Sequence, residues 1–311
     1  MELRHLRYFV AVAEELHFTR AAERLGIKQP PLSLQIRQLE QEVGTPLFRR
    51  LTRGVELTES GLLLLEKARD ILHDVEQTKV SVQRRARGET GRIRLGFADA
   101  TYVNPLIPAL IADYRLNYPE VAISMETNPT PRLIAGLNNG EIDLAFIRPP
   151  VGDSDGLGID LVVEEPMLII VPAAHPLTRK GSVPLAALAN ETWILRPRSM
   201  GPGLYDEFIA CCHRAGFSPK IDHEAIGHEA SAGPSVLLGV TAGFGISIVP
   251  QSLQQIHAAG IAYLRIRGDG LRARTSLAYR RNDHSAAVRN FVALVKRNRG
   301  AVGKRAQPDR A

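Results

Sequence analysis

Ser33, Leu34, Arg37 and Gln41 share one side of a helix whose other side carries Leu32, Ile36, Leu39 and Val43, apolar residues at steps of four, three and four. The outward set is polar and partly basic, and such a face can hydrogen-bond to base edges in a major groove. Arg49, Arg50 and Arg53 follow in a short segment that Gly54 can turn, between Leu47-Phe48 and Val55–Leu57. Guanidinium groups in such a wing suit phosphates or a narrow minor groove. The plainer alternative is a helical hairpin with Arg37 and Gln41 merely solvated, beside three solvated turn arginines. The local chemistry favours the first reading. Thr19 is a good N-cap for a short helix with Ala22 and Leu25 inward, Gly26 supplies a tight turn, and Pro30 and Pro31 suit the first turn of the reading helix. Residues 16–61 therefore predict a helix-turn-helix followed by a basic hairpin wing.

Other apparent sites fail on spacing. His223 and His228 in HEAIGHE are five residues apart, the wrong step for two zinc ligands on one helical face. Gly201, Gly203, Gly243 and Gly245 lack the third glycine of a dinucleotide loop, no P-loop occurs, and no G-x-S-x-G elbow is present. The nine histidines form no visible triad with a serine or cysteine. Cys211 and Cys212 are neighbours, so strain disfavours a disulfide; small hydrophobes are their simpler role, and a redox switch the alternative. No enzyme, metal site or cofactor is expected. One segment does suit an anion: ADATY would place Asp99, Ala100 and Thr101 at a helix N-terminus with free backbone N–H groups, although Asp99 is also an excellent cap.

The elements that must position these residues follow from length and periodicity. With 311 residues and 44% hydrophobic composition, two or three units are expected. The net charge of +6 locates little: residues 1–90 hold 15 basic and 13 acidic groups, whereas 296–311 hold six basic groups against Asp309. MELRHLRYFVAVAEE reads as an amphipathic helix with Leu3, Leu6, Phe9, Val10 and Ala13 on one face, not as a signal peptide. The run from Ser235 to Pro250 is too short and glycine-broken to span a membrane. A cytoplasmic protein without membrane attachment is expected.

From Thr58, a second N-cap, one long helix should run to about Ala86. Its stripe of Leu64, Ala68, Ile71, Val75 and Val82 is too narrow for a globular core, which suggests a dimerisation seam. Gly88 and Gly91 would then form a hinge. Beyond it, strands at Ile93-Leu95, 121–125, 142–147, 167–171, 193–195 and 246–249 alternate with helices at 105–118, 131–138, 204–215 and 235–242, an α/β pattern. Ile261–Ile266 is expected to cross back, returning 276–280 and the helix at 285–297 to the first set.

Three stretches, MELRHLRYFVAVAEE, RAAERLGIKQPPLSLQIRQLE and LFRRLTRGVELTESG, resemble the LysR-type transcriptional regulators. The resemblance continues through IRLGFADATYVNPLIPALI, GEIDLAFIR, EEPMLIIVPAAHPL and VTAGFGISIVP, and is strongest to the branch regulating aromatic-compound breakdown. It implies an N-terminal winged helix-turn-helix, a long linker helix, and a C-terminal two-lobed domain similar to periplasmic solute-binding proteins. The boundaries are then 1–58 for DNA binding and 59–90 for linker and hinge. The effector domain covers 91–300, with lobe one at 91–162 and 268–300, lobe two at 163–267, and a disordered basic tail at 301–311. The resemblance further implies that Gln29, Pro30, Pro31 and Ser33 meet DNA, with Leu34 where relatives carry a basic residue. Thr130 and Arg148 match polar cleft positions, faced by Gly203, Leu204 and Tyr205. Asp99 stands where relatives carry a small hydroxyl residue, and the readings open for it are a helix cap or partner of Arg148, a binder of an amine or hydroxyl on the effector, or a group that repels simple mono-acids. The implied partners are double-stranded DNA, a small organic or aromatic acid, RNA polymerase, and further copies of the chain in a dimer of dimers. The implied function is activation of an adjacent catabolic operon. An architectural DNA-binding protein without an effector is the alternative.

Overall fold

The computed structural model describes all residues except Arg53, Asp153, 224–231, His257, 269–270 and 306–311. The chain divides into two compact units, Met1–Arg84 and Arg85–Ala311.

In the first unit three helices, α1 (Leu3–Glu15), α2 (Phe18–Leu25) and α3 (Gln29–Val43), pack around Leu6, Phe9, Ala22, Leu32, Ile36 and Leu39, all nearly inaccessible. The five larger of these side chains contribute roughly 1.5–3 kcal/mol each by leaving water, which sets the angle at which α3 is presented. Gly26 closes α2 at φ +67°, a left-handed conformation costly for any residue with a Cβ, so the turn into α3 depends on it. The cap at the start of α2 is not Thr19: the helix opens at Phe18, and the His17 ring nitrogen accepts from the Thr19 backbone N–H at 3.2 Å. Val43, expected in the buried stripe, is 42% exposed because α3 ends there at Gly44. Leu3 likewise lies exposed at the first residue of α1. Strands β1 (Phe48–Arg50) and β2 (Val55–Leu57) form the wing, pairing Arg49 opposite Glu56.

Helix α4 (Glu59–Ala86) is 28 residues long. Thr58 caps it, its hydroxyl accepting from the Gly61 N–H at 3.0 Å and donating to the Pro46 carbonyl at 2.8 Å. Ala68 is fully buried in the core of the first unit and Leu64 and Leu72 pack against that core, so Ala68 belongs to the domain itself rather than to a seam between copies. The strip at steps of four faces inward, leaving Leu63, Ile71, Val80 and Val82 exposed and Val75 half-buried.

The second unit begins with β3 (Thr90–Phe97), α5 (Leu106–Asn117), β4 (Glu120–Thr127), α6 (Thr130–Asn138) and β5 (Leu144–Ile147), with β3 parallel to both β4 and β5. Strand β6 (Leu157–Pro172) is followed by β7 (Ser182–Val183), β8 (Thr192–Ile194), α7 (Pro202–Arg214), β9 (Lys220–Asp222), α8 (Ala232–Thr241) and β10 (Ser247–Pro250). Strands β11 (Ile261–Ile266) and β12 (Arg272–Arg280) and helix α9 (Ala286–Arg305) complete it. The large sheet runs β4-β3-β5-β12-β6-β11-β7, with β10 also on β6. Two strands, not loops, join the lobes. The first half of β6 pairs with β12, and its last six residues pair with β10 and β11. The return crossing is β12 rather than β11, which lies wholly in lobe two beside β6. The alternation RARTSLAYR of β12 hides this, because Arg272 and Arg274 share the carboxylate of Glu164 on β6, at 2.7 and 3.4 Å. Helix α9 extends past the expected end near Arg297 to Arg305, taking in the start of the segment expected to be a disordered tail.

Candidate functional site

The outer face of α3 is open to solvent. Gln29, Pro30, Pro31, Leu34 and Arg37 are exposed and Ser33 is half-buried, with the Gln29 side-chain amide donating to the Ser33 hydroxyl at 2.7 Å. Leu34 is 54% exposed, an unusual position for a leucine with no partner in its own fold. Gln29 and Ser33 share a recess with Arg50 and His17, so reading helix and wing form one continuous surface. Arg49 and Arg50 differ: Arg49 is ion-paired with Glu56 across the hairpin, while Arg50 faces the recess. Arg53 lies outside the described residues. An exposed helix face beside a basic hairpin can enter a major groove while the wing contacts backbone phosphates.

The second site is a cavity of about 100 Å³ between the lobes of the second unit. Asp99 and Ala100 enter it from the turn after β3, Arg148 from the end of β5, and Leu204 and Tyr205 from the first turn of α7. Most of the remaining wall is apolar, from Met167, Leu195, Phe208, Val236 and Leu253. Three expected residues do not line it. Thr101 is buried within a three-residue 3-10 turn, Thr130 is buried at the start of α6, and Gly203 packs against Pro150, where an added Cβ would meet backbone at 2.6 Å. The helix N-terminus expected at ADATY is therefore only that short turn, and α5 begins later, at Leu106.

Nor is Asp99 a cap. Its φ is +53°, and its carboxylate pairs with Arg196 across the cleft, with Arg148 Nε 3.9 Å away; its Oδ1 is buried without a hydrogen-bond partner. The buried Arg148 donates weakly to the Thr275 hydroxyl at 3.5 Å. Burial works against its charge, and the nearby carboxylates of Asp99 and Glu165 oppose that effect. Glu165, on β6, is itself buried and accepts from the Ser252 N–H at 2.6 Å, the Ser252 hydroxyl at 3.1 Å and the Asn104 amide at 3.3 Å. Neither Arg196 nor Glu165 carries a local signal in the sequence: an arginine just after a short strand reads as solvated, and nothing near Glu165 marks its buried partners.

The remaining candidate groups among the described residues line neither site. His223 is exposed beside β9 and His228 lies outside the described residues. Both cysteines are free, and burial pushes the Cys212 thiol up to about 12, away from the reactive thiolate. Trp193, the single tryptophan, is fully buried in β8 with its ring 4.7 Å from that of Phe208, and its indole N–H has no partner. Among the described residues no group of three His, Cys, Asp or Glu could hold a metal, and no helix is long and apolar enough to cross a membrane.

Comparison with known proteins is consistent along the chain. Residues 3–62 match the family described as bacterial regulatory helix-turn-helix protein, lysR family, and residues 86–300 match the LysR substrate binding domain. The HTH-type transcriptional regulator AlsR of Bacillus subtilis (strain 168) is 38% identical over 293 residues, covering 94% of each chain. The Hca operon transcriptional activator HcaR of Escherichia coli (strain K12) is 31% identical over 302 residues, 97% of this chain and 99% of the relative. Full-length CbnR, solved in complex with its target DNA, superposes with a TM-score of 0.81 at 29% identity, over 96% of this chain and all of that one.

Proposed function

Because the chain belongs to the LysR family of helix-turn-helix transcriptional regulators, we propose that it activates a neighbouring catabolic operon when a small organic acid occupies the cleft of its second unit. As a member of this family it is a DNA-binding regulator, not an enzyme. The observation that carries the effector reading is the cavity itself, with apolar walls around one polar corner built from Asp99, Arg148 and Arg196. Such walls suit an aromatic or unsaturated body, and the corner suits one polar head. The activating sense is supported by a relative named for activating the hca operon.

Gln29, Pro30, Pro31, Ser33, Leu34 and Arg37 read the operator in this scheme, and Arg50 contacts its backbone. The outward leucine at 34 suits a thymine methyl. Copies of the chain meet through the exposed apolar surface of α4 to form dimers that pair again into a tetramer, and the DNA-bound assembly contacts RNA polymerase. Effector occupancy couples to the DNA-bound form by about 1–3 kcal/mol.

The test is a thermal-shift screen against a panel of small acids, followed by operator binding and transcription with and without each hit. A compound at a hundred times its Kd stabilises its target by about 2.7 kcal/mol, which such a screen resolves. Hits that leave operator binding and transcription untouched would favour an architectural DNA-binding protein instead.

A further inference from the structure

The charges of the polar corner are already largely matched. Arg148 and Arg196 bring two guanidinium groups to the cavity and Asp99 brings a carboxylate, while the buried Glu165, outside the lining, acts on Arg148 through its charge. The adjacent Arg198 is already spent on Asp206, with two hydrogen bonds at 2.7 Å. Asp99 takes Arg196 as its partner and lies 3.9 Å from Arg148, so the chain's own carboxylate holds the place a bound anion would need. Two groups on cavity-lining residues are left over: Asp99 Oδ1, a buried acceptor, and Arg196 Nε, a buried donor, neither with a partner. Buried polar groups are rarely left so, because an unmade hydrogen bond leaves the cost of desolvation unrecovered. A further carboxylate entering here would meet the Asp99 charge between apolar walls, where water cannot dilute the repulsion.

We propose that this cleft selects a head group with no net charge that presents a hydrogen-bond donor beside an acceptor, the donor for Asp99 Oδ1 and the acceptor for Arg196 Nε, and that Asp99 imposes the selection. The inference rests on the reading of the cleft as the effector site. Two sources share this chemistry: a carboxylic acid that enters together with one proton, and a neutral carboxamide or hydroxycarbonyl compound.

The experiment is calorimetric titration of the full chain with benzoate and benzamide, and with propionate and propionamide, at pH 6 and pH 8. It is run on the native protein, on Asp99→Ser, and on Asp99→Asn, which tolerates the positive φ while removing the charge. In the native protein the amide should bind at least about tenfold tighter than its carboxylate at pH 8. If the acid is the natural source, carboxylate affinity should instead climb about tenfold for each unit the pH falls, the signature of one proton bound with the ligand. Both variants should favour the carboxylate and lose that pH dependence, and carboxylate binding that appears only in the variants equally supports the exclusion by Asp99. Native protein that binds carboxylate at pH 8 as tightly as amide, or variants that keep the native preference, would overturn the selectivity while leaving the effector site standing. Binding of no probe by any of the three proteins would count against the cleft as an effector site altogether.

Discussion

Glu14 of α1 accepts a hydrogen bond from Arg69 of α4 at 2.9 Å, a contact bridging 55 residues of sequence, and a second from Arg24 of α2 at 2.8 Å. Arg69 and Arg24 together hold the Glu14 carboxyl below its ordinary range. The linker helix is thereby tied to the first two helices of its own unit by charge as well as by Ala68. Because the arginines are half exposed, the tie is modest. Arg69→Ala should lower the stability of this unit by roughly 0.5 kcal/mol at low salt and by almost nothing in about 1 M salt. Urea melts at both ionic strengths measure it, and an equal loss at both would assign the effect to packing.

On the reading face, Gln29 is held by Ser33 and free to meet a base edge. Gln29→Ala should cost about 1–3 kcal/mol on the specific operator and spare random DNA. Anisotropy with both duplexes decides this; equal losses remove Gln29 from base reading. The wing arginines should differ, because Glu56 neutralises Arg49 and not Arg50. Arg50→Ala should reduce the salt slope of binding by about one, and Arg49→Ala by less.

The apolar surface left on α4 supports assembly. Ile71 is 37% exposed in the single chain, with Leu63, Val80 and Val82 also bare. Ile71→Glu would bury a charge against a partner, at a cost of several kcal/mol unless the copies separate. Sedimentation should report a smaller species and operator binding should lose cooperativity. An unchanged sedimentation coefficient would move the seam elsewhere, whereas Ala68→Glu should unfold the first unit itself.

Asp143 is the acid-sensitive point of lobe one. It accepts from the Arg94 backbone N–H at 2.8 Å, from the Arg94 guanidinium at 3.0 and 2.7 Å, and from Arg280 at 3.1 Å. Burial raises its pKa, but the Arg94 hydrogen bonds and charge outweigh that and leave it below the ordinary value. A depressed carboxyl stabilises the fold above the unfolded value, about 3.9, and loses that contribution as the pH falls through the folded value. Asp143→Asn should therefore be markedly less stable than native protein at pH 7, with the gap narrowing below about pH 4. A gap independent of pH would assign Asp143 a packing role only.

The two units were not equally readable. The helix-turn-helix announces itself because Leu32, Ile36 and Leu39 obey a period that only a buried helical face imposes, and because Gly26 and the proline pair punctuate it at the right places. The cap of α2 falls on His17 rather than Thr19, a position the sequence hides because a histidine ring is a rarer acceptor than a threonine hydroxyl. Strand crossing in the second unit is harder: β12 looks polar until Glu164 is seen opposite Arg274 and ion-paired with Arg272, and those pairings join distant parts of the sequence. Asp99, Arg148, Leu204 and Tyr205 were legible as cleft residues from family resemblance. Arg196 was not, because its importance comes from a partner in the other lobe, and no local pattern encodes that.

The position of Trp193 gives the molecule a built-in optical gauge. It is the only indole, it is sealed from water, and the ring it touches, Phe208, is part of the cleft wall. A compound seated against Phe208 would alter the surroundings of the one strong emitter in the chain, while α3, the proposed DNA-reading helix, belongs to the other unit. Occupancy of the cleft can thus be followed in unlabelled protein by the colour and intensity of its own emission, separately from the operator.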